Sequence, residues 1–180
     1  ITLEVLSFNE VVRSVLANQC EIGFVAYPVH DAGVSQHPIT EGQSVCVMPA
    51  GHPLAQSKVV RPADLREEPF IAISRNVPSG HHVDEIFAAA GVPRRIVIET
   101  QTATAACALV KRGMGISILD PFTVAALADP RMVWRPFVPG YPFRFSALTR
   151  TDRQVPRIAR LFLDEVRAAV SAPARTSYSA

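Results

Sequence analysis

The sequence has little cysteine, little lysine and no long apolar run, and each shortage removes a class of function. Its three cysteines, Cys20, Cys46 and Cys107, stand at unrelated spacings with no C-x-x-C. Neither a disulfide framework nor a zinc site is implied, and a reducing cytoplasm is the expected compartment. Lysine occurs only at Lys58 and Lys111, the other basic residues are arginine, and no basic run exceeds two residues. With 19% charged residues and a net charge of +2, no whole-surface field exists to hold nucleic acid or anionic membrane. The apolar stretch at 103–110 is far shorter than the roughly 18 residues that cross a bilayer, so no membrane partner is expected. The start of the chain carries no basic region, apolar stretch and small-residue cleavage site of the secretory kind. It reads as a fragment that begins inside a domain.

The motifs of common α/β enzymes are missing as well. No G-x-S-x-G offers a nucleophile elbow, and no G-x-x-x-x-G-K-[ST] offers a phosphate cradle. Gly113, Met114 and Gly115 follow a helical pattern and precede a strand, which is the wrong order for a dinucleotide site and reads as a helix stop with a tight turn. His81 and His82 are adjacent on a helix, about 100° apart, and cannot share one ion easily. His52 lies in a turn, and Cys46 and Cys107 fall on apolar faces as small core residues. No metal, cofactor or catalytic set is therefore expected, and the chain is not read as an enzyme.

What is present is a foldable α/β pattern, with 48% apolar residues, enough for a core. A strand-like alternation at 2–5 precedes a helix in which Phe8, Val11, Val12, Val15 and Leu16 share one face. The apolar run at 21–27 reads as a buried strand, completing a β-α-β unit. Strands are expected from Gly33 onward and at 44–48, a helical turn at 61–65 and a strand at 70–74. Beyond a breaker-rich loop come a helix at 83–90, a strand at 95–100, an Ala-rich helix at 103–112, a strand at 115–119 and a helix to 128. Strands at 132–138 and 143–149 and a closing helix at 155–170 complete the pattern. Alternating strands and helices in both halves predict two mostly parallel sheets, with ligand bound beyond the carboxyl ends of the strands.

Four polar groups fall at such strand ends: Ser7, Phe8 and Asn9; Ser74 and Arg75; Thr100, Gln101 and Thr102; Asp120, Pro121 and Phe122. Each taken alone is a helix cap or turn. Together they make a cleft of hydroxyls, amide donors and one guanidinium, suited to a small anionic or zwitterionic ligand whose cationic end Asp120 would hold.

Several segments resemble a known family. C-V-M-P-A-G-H-P-L-A at 46–55, A-D-L at 63–65 and P-F-I at 69–71 resemble the first effector-binding subdomain of LysR-type transcriptional regulators. F-A-A-A-G-V at 87–92, V-I-E-T at 97–100, L-V-K-R-G-M-G-I at 109–116 and L-D-P-F-T at 119–123 resemble the second. The resemblance implies a periplasmic-binding-protein-like (type 2) fold of two α/β subdomains with a ligand cleft between them, the first strand and helix missing. The residue pattern divides the chain into subdomains at 1–74 and 75–147, a strand end and helix at 148–170, and a disordered tail at 171–180, and the resemblance implies crossing segments near Ala26 and Tyr27 and near Ser74 and Arg75. It also implies a cytoplasmic, non-catalytic sensor of a small-molecule inducer, amino-acid-like, placed by the polar groups named above. The full-length protein is expected to be a homodimer or homotetramer that binds DNA only through a missing N-terminal winged helix-turn-helix. An extracytoplasmic solute-binding protein of a transporter is the alternative, and a small-molecule lyase or transferase is a third reading.

Overall fold

A computed structural model describes residues 1–171 of the chain; the expected tail lies outside the described residues except for Ser171, which is the last residue of a helix. In chain order the elements are α1 (Phe8–Leu16), β1 (Gly23–Val25), β2 (Val34–Gln43), β3 (Val45–Pro49), β4 (Pro69–Ile73), α2 (Pro78–Ala89) and β5 (Arg95–Thr100). They continue with α3 (Ala103–Val110), β6 (Ser117–Leu119), α4 (Pro121–Ala126), β7 (Met132–Pro136), β8 (Pro142–Arg150) and α5 (Arg157–Ser171). Short 3-10 turns at Pro53–Gln56 and Pro62–Leu65 lie between β3 and β4.

The contacts define two compact units, one formed by 1–41 with the segment from Phe143 onward, the other by Gly42–Pro142. The chain passes between them within β2 and within β8. The sequence reading cut the chain at Ser74 instead. That cut would sever the ladder in which Ile73 of β4 sits opposite Thr100 of β5, and the bond from the Ser74 N–H to the Thr100 carbonyl at 2.8 Å. The 26–27 segment is likewise internal to the first unit.

In the first unit, β8 lies between β1 and β2, and β1 pairs with it antiparallel, Gly23 opposite Leu148 and Val25 opposite Ser146. Helix α1 opens with a capping arrangement: the Glu10 carboxylate accepts from the Ser7 N–H at 2.9 Å and from its hydroxyl at 2.5 Å. These bonds hold the Glu10 carboxyl below the usual carboxylate range. The apolar face of α1 then packs Val15 with Val25, Val34 and Leu148, flanked by Phe8, Val11, Val12 and Leu16. The strand expected at 2–5 is not formed, and Ile1, Leu3 and Val5 are exposed. No neighbouring backbone among the described residues pairs with it, and a strand without ladder bonds gains nothing from its alternation.

In the second unit β3 lies between β6 and β7, antiparallel to both. Strand β4 pairs parallel with β5 and continues to the β6 side through a parallel bridge between Phe70 and Ile116. The expectation of mostly parallel sheets is therefore corrected: the first unit is built on an antiparallel pair, and the sheet of the second is mixed. A strand such as V-C-V-M, buried on both faces, carries no mark of its direction, which is set by where the preceding crossing delivers the chain. Val45, Val47, Ile71, Ile73, Ala106, Cys107, Val110, Leu119, Val124 and Met132 form the core. At about 1.5–3 kcal/mol for each fully buried larger aliphatic side chain, this cluster outweighs any single surface contact. Cys46 and Cys107 are fully buried. Burial pushes the Cys107 thiol up to about 11 and Cys46 higher, so both are inert core residues.

Candidate functional site

The parallel ladder brings the carboxyl ends of β4, β5 and β6 to one edge of the second unit, and a helix starts just beyond each. Ser74, the Thr100 to Thr102 group and Asp120 are the residues at those three exits. Ser74 is buried; its carbonyl accepts from the Val77 N–H at 2.9 Å and so turns the chain into α2. Gly80 permits the closeness of that turn, since a Cβ there would lie 2.2 Å from the Ser74 carbonyl oxygen. The Thr102 hydroxyl accepts from the Ala105 N–H at 3.2 Å and caps α3; Gln101 beside it is exposed. The Asp120 carboxylate accepts from the Thr123 N–H at 2.6 Å and caps α4. Pro121 and Phe122 are half-buried, and Gly42 lies against both, where a Cβ would come within 2.8 and 3.1 Å of their rings.

The edge therefore offers hydroxyls, a carboxylate and the free N–H groups of starting helices, a combination that accepts an anion at the amides and a cation at Asp120. Each capping bond also serves the fold, so these side chains hold two roles at once. Arg75 behaves differently from expectation. Its Nε forms an ion pair with Asp84 Oδ2 of α2 at 2.6 Å, so the guanidinium already has a counterion on the helix. Ser7, Phe8 and Asn9 belong to the first unit at the start of α1, where Ser7 is tied to Glu10 and Phe8 packs edge-on against Tyr27 at 6.3 Å.

Sequence reasoning missed Asp84 and Arg94, which are ten residues apart and form an ion pair under the Phe70 and Phe87 rings. It also missed a depression of about 500 Å³ between α2 and the turn after β7, where His82 faces the Tyr141 ring at 5.5 Å. Another of about 600 Å³ lies beside Pro38, Phe145 and Arg144 in the first unit. Neither is lined by the expected site residues, and no periodic signal marks such depressions in a sequence. Among the described residues no group of His, Cys, Asp or Glu is placed to hold a metal ion, and no helix is long and apolar enough to cross a membrane.

The likeness to solved LysR effector-binding domains gives the chain the type 2 periplasmic-binding-protein-like fold. The chain superposes on the regulatory domain of CcmR from Synechocystis PCC6803, in complex with 2-PG, with a TM-score of 0.79 at 20% identity, covering 96% of this chain and 84% of that one. CbnR, a LysR family transcriptional regulator, gives a TM-score of 0.73 at 26% identity over 93% of this chain and 58% of that one. The LysR substrate binding domain family matches residues 1–171, and the chain belongs to it. It is 34% identical over 137 residues to the transcriptional activator protein LysR of Escherichia coli K12, covering 76% of this chain and 44% of that protein. It is 32% identical over 130 residues to the regulatory protein NocR of Agrobacterium tumefaciens T37, covering 72% of this chain and 43% of that protein. The chain thus spans less than half the length of these curated relatives. Both are regulators, and the solute-binding reading is not favoured.

Proposed function

We propose that this chain is the sensor of a LysR-type transcription factor, binding a small anionic or zwitterionic, amino-acid-like inducer. The observation that carries the reading is the convergence of Ser74, Thr100 to Thr102 and Asp120 beyond three aligned strands, in a chain that belongs to the LysR substrate binding domain family. Helix N-termini receive the anionic end and Asp120 the cationic end. Gln101, Pro121 and Phe122 shape the wall. In this reading the protein is cytoplasmic and non-catalytic, acts as a homodimer or homotetramer, and reaches DNA through a separate N-terminal winged helix-turn-helix. The inducer acts only through its differential affinity for two arrangements of the regulator.

A thermal-shift screen of amino acids, their carboxyalkyl derivatives and aromatic acids tests this. Stabilisation by a zwitterion that is lost in Thr102→Ala and Asp120→Ala, with native circular dichroism kept, supports the reading. Stabilisation by aromatic acids alone overturns the ligand class.

A further inference from the structure

Asp84 lies in the second turn of α2 and faces two arginines of different kinds. Arg94 is a fixed cation: its side chain is 10% exposed, and its guanidinium carbon lies 5.2 Å from the Phe70 ring centre and 5.0 Å from that of Phe87. A guanidinium so removed from water needs a carboxylate, and Asp84 Oδ1 supplies it. Arg75 is a loose one. Its Nε meets Asp84 Oδ2 at 2.6 Å, yet its side chain is 74% exposed, so water competes for the pair and holds its strength low. When Arg75 leaves, no buried charge is stranded, because Asp84 keeps Arg94. The Arg75 backbone meanwhile follows Ser74 directly, at the edge where β4 and β5 end.

We propose that Arg75 is a parked arm for the anionic end of the effector: a ligand carboxylate replaces Asp84 as the partner of its guanidinium, while Asp84 stays on Arg94. This rests on the effector reading above and adds to it a residue that sets affinity without touching ligand. Asp84 is a positioning residue that competes with the ligand for Arg75.

The test uses the chain labelled with 15N-arginine and titrated separately with L-glutamate, L-arginine, shikimate and inorganic phosphate. The Arg75 Nε–H signal is identified by its loss in Arg75→Lys. A probe that binds is expected to shift this signal. Asp84→Asn, which keeps an oxygen for Arg94, is expected to bind the same probe about two- to fivefold tighter, about 0.4–1 kcal/mol at 1.4 kcal/mol per decade. The gain vanishes when Arg75→Ala is added, and Arg75→Ala alone weakens binding about tenfold. Should Asp84→Asn fail to fold, the shift in the unaltered chain decides. A probe that shifts the Thr102 amide but leaves the Arg75 Nε–H signal in place overturns the parked arm and leaves the effector reading intact. If no probe moves either signal, both fall.

Discussion

Gly115 joins the β4 and β6 sides of the second unit, and Gly115→Ala tests whether that junction is as tight as the geometry requires. Its φ is +150°, a region that residues with a Cβ rarely enter at a cost below about 1–3 kcal/mol. An added Cβ would also lie 2.4 Å from the Pro69 carbonyl oxygen, and backbone cannot swing aside as a side chain can. Relief means separating 115–116 from β4. Two bonds then suffer, from the Ile116 N–H to the Pro69 carbonyl at 2.9 Å and from the Ile71 N–H to the Ile116 carbonyl at 2.8 Å, each worth about 0.5–1.5 kcal/mol. The sum is about 2–6 kcal/mol, a large share of the 5–15 kcal/mol that an ordinary domain has. Two other glycines serve as controls. Gly113 has a φ of +75° but open space around a Cβ, so Gly113→Ala should lose only about 1–2 kcal/mol of backbone strain. Gly51 has neither strain nor a neighbour, and Gly51→Ala should be neutral or gain a few tenths of a kcal/mol. Urea unfolding followed by the single tryptophan, Trp134 on β7, reads all three. A Gly115→Ala loss no larger than that of Gly113→Ala would refute the close approach to Pro69.

Other outcomes follow from the same geometry. Thr102→Ala removes the cap on α3 and should cost about 1 kcal/mol in urea unfolding, with Thr102→Ser recovering most of it. The Arg131 guanidinium and N–H hold the Asp129 carboxyl well below the usual carboxylate range, so its contribution is present above the ordinary carboxylate pKa and fades as pH falls through the lowered value. Asp129→Asn should therefore flatten the acid limb of a stability-against-pH curve, and an unchanged limb would contradict the pairing. Iodoacetamide on the native chain should modify Cys20, which is half-buried, before Cys46 or Cys107, whose thiols burial holds protonated. Mass spectrometry of digested protein reads the order, and early labelling of Cys107 would refute its place in the core.

Much of this protein is legible from local chemistry. The face of Phe8, Val11, Val12, Val15 and Leu16 announced α1, and the capped starts at Thr102 and Asp120 announced α3 and α4, because helix periodicity and capping act over four residues. The P-A-G-H-P-L-A segment and the L-D-P-F-T segment carried the family resemblance. Strand direction was not legible: the same V-C-V-M run packs in a parallel or an antiparallel neighbourhood, and only the long-range partners Leu119 and Pro136 opposite Val45 fix it. Nor was the division of the chain: breakers stand at 74–80 as well as at Gly42 and Pro142, and only the long-range packing decides that the crossings run at Gly42 in β2 and Pro142 in β8. The guanidinium of Arg75 shows the same limit. Its sequence position placed it at the strand ends, but the tertiary structure gave it Asp84 as a partner, because a charge takes the counterion that packing brings within reach whatever their separation along the chain.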